Sequence, residues 1–161
     1  LKDNIEYRVW NDSKELFFSR RSILKCNSYV EDYLSIDKYE VIDNKIFISG
    51  CFLVQGYEAK DWGDISYYLL LKSSENIYSF RLGLVNDDNL DLTLDNGFGV
   101  YRKCAFATPN YKGIELGHLT DGYYDMEVVL SKGGSVLRRN TRIKLVKKER
   151  LLLVFKYDMC E

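Results

Sequence analysis

Only one histidine, His118, is present in the 161 residues of this chain. A lone imidazole acts as a general base only beside a partnered nucleophile, and no serine here sits in a nucleophile-elbow glycine pattern. One histidine is also too few for the common zinc sets. No independent hydrolase and no cofactor are therefore expected. The four cysteines, Cys26, Cys51, Cys104 and Cys160, form no CxxC pair and lie among apolar or aromatic neighbours. They read as reduced thiols.

Three other stretches carry residue types that bind. "NDDNLDLTLDNGFG", residues 86 to 99, is acidic. Counted from Asp87, the sixth and twelfth positions hold Leu92 and Phe98, so an EF-hand calcium loop fails. Asp87, Asp88, Asp91 and Asp95 remain a candidate non-EF metal cluster, against a solvated edge whose leucines face inward. "GYEAKDWGD", residues 56 to 64, places Tyr57 and Trp62 in a connection flanked by carboxylates. That combination suits a sugar: rings stack on a pyranose and carboxylates accept its hydroxyls. The alternative is that Trp62 folds back as a lid. "SVLRRNTRIKLVKKER", residues 135 to 150, is basic. Strand alternation puts Arg138, Asn140, Arg142 and Lys144 on one face. Arg138, Arg142 and Lys144 are the candidate surface for an anionic partner, against a solvated face that blunts edge-to-edge aggregation.

Net charge is −1 overall, which demands no nucleic acid. From Ser135 to Glu161, however, eight Lys/Arg face three Asp/Glu, so that stretch carries +5 and the remainder −6. No aromatic–glycine RNA-binding signature accompanies the cations. No apolar run is long enough for a membrane-spanning helix and no leader pattern is present. A cytoplasmic setting is expected, with contact to the inner membrane face as an option. The chain opens at Leu1 without methionine and reads as a single domain, 1–161, excised from a longer polypeptide.

The elements that must position these residues are strands. Thirteen tyrosines, eight phenylalanines and many β-branched residues favour a pleated surface, and period two recurs along the chain. "YEVIDNKIFISG" predicts a hairpin turning at Asp43-Asn44. "ISYYLLLKSSENIYSFRLGL" predicts a second, turning at Ser73 to Asn76. Its first strand is apolar on both faces, as a central covered strand is. "GVYRKCAFAT", "KGIELGHL", "VLRRNTRIKL" and "LLLVFKY" predict further strands. The expected fold is all-β: a two-sheet antiparallel sandwich of immunoglobulin-like, Greek-key type, with about ten strands.

"LTDGYYDMEVVL", residues 119 to 130, alternates cleanly. Tyr124, Met126, Val128 and Leu130 share one face, and the L-x-x-G-x-Y spacing predicts a tyrosine corner.

The succession "NKIFISGCFLVQG", "DISYYLLLKSS", "IYSFRLGL" and "GIELGHLTDGYYDMEVVL" resembles the β-sandwich accessory domain of bacterial glycosyltransferases and CDP-glycerol glycerophosphotransferases. Those enzymes build wall teichoic acid or capsular polymers. The resemblance covers about residues 45 to 145 and closes on Ile114, Leu116, Leu119, Gly122 and Tyr124. Arg81 is followed by Leu82 where family members often carry Arg-Asp. The resemblance implies a non-catalytic module beside a transferase domain of the same chain, assisting domain packing or contact with polymer or membrane. The competing expectation is an extracellular carbohydrate-binding or adhesin-like module.

Overall fold

A computed structural model describes residues 7–8, 15–16, 32–93 and 99–157. The strands are β1 (Tyr7–Arg8), β2 (Glu15–Leu16), β3 (Asp32–Ile42), β4 (Lys45–Val54), β5 (Ser66–Lys72), β6 (Ile77–Val85), β7 (Ala105–Ala107), β8 (Ile114–Glu115), β9 (Gly122–Lys132), β10 (Ser135–Lys148) and β11 (Leu151–Lys156). The fold is all-β, and every strand pair is antiparallel. β1 and β2 pair with each other; the other nine form one sheet in the order β11-β10-β9-β5-β6-β7-β4-β3, with β8 on β4. No α-helix occurs among the described residues, and none of their helices is long and apolar enough to cross a membrane.

The predicted turns form as their residues dictate. Asp43 and Asn44 join β3 to β4 with φ of 51° and 64°. Two positive φ values in a two-residue loop match the right-handed twist of the flanking strands. Ser73 closes the β5–β6 turn by accepting the Asn76 N–H at 2.9 Å.

The sheet curls because β6 changes partner along its length. Ile77 through Leu82 pair with β5, and Gly83 through Val85 pair with β7. At the far ends β3 approaches β10 and β11, and Arg139 of β10 forms an ion pair with Asp32 of β3. The barrel-like sheet is thus nearly closed.

Its interior is set by period two. Tyr67, Leu69 and Leu71 of β5 lie opposite Leu130, Val128 and Met126 of β9 and opposite Leu82, Phe80 and Tyr78 of β6. All nine are buried in one core. Each such side chain contributes on the order of 1.5–3 kcal/mol by leaving water. The face predicted for Tyr124, Met126, Val128 and Leu130 is buried, and Leu84 packs partly buried against the same core. Tyr67, in the middle, donates its hydroxyl to the Phe52 carbonyl at 2.6 Å, so a polar atom is buried without being orphaned. Tyr68, Leu70 and Val129, on the opposite face, are buried as well. Both faces of β5 are therefore covered, as its sequence predicts.

One glycine is demanded by sterics. A Cβ on Gly50 of β4 would stand 2.0 Å from the Ser35 carbonyl oxygen of β3. The register between β3 and β4 shifts at this place, between Ile36 and Lys38.

Candidate functional site

The basic strand β10 lies between β9 and β11, so its neighbours decide what its cations do. Lys144 stands opposite Asp125 of β9, with Nζ and Oδ1 3.8 Å apart, and 5.2 Å above the Tyr157 ring. Arg138 is mostly covered, and its Nε is 3.3 Å from Oε1 of Glu127. Burial raises the Glu127 carboxyl above its ordinary value; Lys72 pulls it back and Asp125 adds to the rise. Arg142 sits in an irregularity between Asn140 and Ile143, at φ +62°, with its side chain exposed. The three predicted cations thus share a strand but not one function. Two are matched by carboxylates of β9, and the third stands out at the bulge.

Two further cations near this strand stand outside the ion pairs of the described residues. Lys148 and Arg150 flank the β10–β11 turn and are exposed. Lys147 instead ties the turn down, donating to the Glu149 carbonyl at 3.0 Å and lying 3.6 Å from Asp121. Asp121 in turn accepts the Glu149 N–H.

Register reveals a feature that the charge pattern hides. Leu151, Leu153 and Phe155 of β11 lie opposite Lys148, Val146 and Lys144. Val146 in turn lies opposite Tyr123 of β9. Residues directly opposite share a face, so Tyr123, Val146 and Leu153 form one cross-strand row with Leu151 and Phe155 on either side. Leu151 is 54% exposed, Leu153 50%, Phe155 43% and Tyr123 71%. Their alternates, Leu152 and Val154, pack on the core. The outer face of β9–β11 is therefore an apolar patch whose rim carries the exposed Lys148 and Arg150 beside the carboxylates of Asp121, Asp125 and Glu149. The signal was present in "LLLVF", which is apolar on both faces of the last strand; only the register shows which face is uncovered.

The other candidates are dispersed. Trp62 lies in the β4–β5 connection, 52% exposed, with the Lys103 ammonium 5.1 Å from its ring centroid. Tyr57 is partly buried against the core. Of the acidic run, Asp87 caps the short 3-10 turn Asp88–Leu92 by accepting the Asn89 N–H, and Asp88 accepts from the Asn86 amide at 2.8 Å. Asp91 accepts from the Tyr101 N–H and from both Nε and Nη2 of Arg102. Asp95 lies outside the described residues. Among the described residues, no group of three or more His, Cys, Asp or Glu side chains is placed to hold a metal ion. His118 is exposed, with its ring packed against Tyr78 and Phe80 at centroid distances of 5.9 and 6.0 Å. Cys51 and Cys104 are free, buried thiols; Cys26 and Cys160 lie outside the described residues.

The tyrosine corner is formed. Tyr124 is buried, and its hydroxyl donates to the Thr120 carbonyl four residues upstream. Thr120 also accepts from the Asn76 amide at 3.0 Å, which links the corner to the β5–β6 turn. This network fixes the start of β9, and with it the position of Tyr123 on the outer face.

No family model, no curated protein and no solved structure matches this chain.

Proposed function

We propose that this chain is a non-catalytic docking module that seats the outer face of β9–β11 on an anionic membrane surface. The observation that carries the reading is the row Tyr123–Val146–Leu153, exposed at Tyr123 and Leu153 and half-buried at Val146, with Leu151 and Phe155 beside it and Lys148 and Arg150 at its rim. Apolar side chains enter the interfacial region of a bilayer, while cations are drawn to its anionic headgroups. Each cation adds about 1 kcal/mol near such a surface, so the rim steers and the apolar row holds. In line with the resemblance, the module belongs beside a glycosyltransferase or glycerophosphotransferase domain of cell-wall or capsule polymer synthesis. It holds that domain at the cytoplasmic side of the membrane. The nearly closed sheet is then the immunoglobulin-like sandwich of that family, its two halves joined through β6.

Co-sedimentation with vesicles of 30% phosphatidylserine in phosphatidylcholine, and of phosphatidylcholine alone, tests this reading. Binding to the anionic vesicles is expected to weaken between low salt and about 0.15 M, where the Debye length is about 8 Å. It is expected to fall in Leu153→Ser/Phe155→Ser and in Lys148→Glu/Arg150→Glu. No sedimentation with either vesicle, or unchanged sedimentation of both double variants, sinks the reading.

The half-exposed Trp62 favours a second reading, an extracellular carbohydrate-binding or adhesin-like module. It calls for salt-insensitive binding of a neutral glycan that Trp62→Ala abolishes. A signal peptide encoded upstream favours it; an adjoining transferase domain favours the first.

A further inference from the structure

Tyr111 lies in the other half of the sheet, away from β9–β11. It is 70% exposed, and its backbone is left-handed at φ 57°, following Asn110 at φ 54°. Bulky L-residues avoid this region. The conformation is held by the loop around it. Tyr111 N–H donates to the Thr108 carbonyl at 2.9 Å, Lys112 N–H to Pro109 at 3.1 Å, and Gly113 N–H to the Thr108 hydroxyl at 3.2 Å. The strain does not bury the ring. It presents the ring to solvent, which is the pattern of a residue shaped for a ligand.

Tyr111 lines two cavities of about 260 Å³ each. One is lined by Gly83, Leu84 and Val85; the other by Lys38, Phe47 and Ser49. Both share Ala107, Thr108 and Tyr111. Lys38, the one charged residue lining either cavity, lies 2.9 Å from Glu40, so its charge is matched.

We propose that Tyr111 is the platform of a binding site for a neutral oligosaccharide, with sugar units in the two cavities that the residue lines. A pyranose has apolar C–H faces and a hydroxyl edge. The exposed phenol ring and Leu84 match the faces. Ser49 and the Lys38–Glu40 pair match the edge. The matched charge disfavours a charged polymer. β4 offers an extended peptide no free edge, since β3 pairs along one side of it and β7 and β8 along the other. The inference does not rest on membrane docking, which uses a different face, so failure of either leaves the other intact.

Isothermal titration of the full chain with cellohexaose, maltohexaose and chitohexaose tests it, alongside thermal melts of each variant. At least one probe is expected to bind, and Tyr111→Phe to keep that binding. Tyr111→Gly is expected to lose about tenfold or more in affinity while its melting midpoint holds or rises, because glycine relaxes the left-handed backbone. Gly83→Val is expected to lose binding with the fold intact. A Cβ there meets only the Ala107 oxygen and the Pro109 Cα, each at an ordinary 3.6 Å, and the added side chain occupies the cavity. The proposal is overturned if none of the three probes binds at about 10 mM. It is equally overturned if Tyr111→Gly and Gly83→Val bind as the parent does, or if Trp62→Ala alone removes the binding.

Discussion

The hydroxyl of Tyr124 donates to the carbonyl of Thr120, while its neighbour Tyr123 points to solvent. Two adjacent tyrosines thus have opposite structural weight. Tyr124→Phe is expected to destabilise the fold by about 1 kcal/mol, the usual net value of one hydrogen bond, and more if the Thr120 carbonyl is left dry. Tyr123→Phe changes stability by no more than about 0.5 kcal/mol, as surface substitutions do. Urea denaturation compares them, and equal losses refute the assignment of faces.

Gly50 has no room for a methyl group against the Ser35 carbonyl. Backbone, unlike a flexible side-chain end, has to move as a unit. Gly50→Ala is therefore expected to cost about 3 kcal/mol, at the upper end of overpacking penalties. Gly134→Ala, where a Cβ meets nothing within 4 Å, is the control. Similar melting temperatures for the two variants contradict the tight β3–β4 contact.

Asp91 makes a pH dependence testable. Burial pushes its carboxyl up, but the Arg102 side chain and the Tyr101 N–H outweigh this and hold it below the ordinary value. A depressed carboxylate contributes stability that is present above its unfolded pKa, about 3.9, and lost as pH falls through the lower folded value. The advantage of the parent over Asp91→Asn should accordingly be full at pH 7 and shrink below about pH 4. A stability difference that stays constant down to pH 2 excludes the linkage.

Cys51 and Cys104 should be inert in the folded chain. Burial, assisted by Asp37, pushes Cys51 up to about 11. Burial also pushes Cys104 up to about 11, although a hydrogen bond with Tyr67 pulls the other way. At pH 8 roughly one thiol in a thousand is then ionised, and it is the thiolate that reacts. Alkylation with iodoacetamide, mapped by mass spectrometry, should leave both unmodified until the chain is unfolded in denaturant. Rapid labelling at either position under native conditions disproves their burial.

The sequence by itself determined what is local. Period two, the Asp43-Asn44 turn and the L-x-x-G-x-Y spacing each act over a few residues, so strands, hairpins and the tyrosine corner were legible. So was the burial of both faces of β5, because a strand such as "YYLLL" has no polar side to offer water. The tertiary structure decided what depends on neighbours distant in the chain. Arg138 and Lys144 read as a basic surface until β9 places Glu127 and Asp125 beside them. Asp91 read as a metal ligand until Arg102 takes its carboxylate. The apolar row on β11 and the strained Tyr111 with its cavities were not legible, because no composition states which face a strand leaves uncovered. Exposure follows from register and closure, and these are settled by nonlocal burial of the whole core rather than by the few residues that end up at the surface.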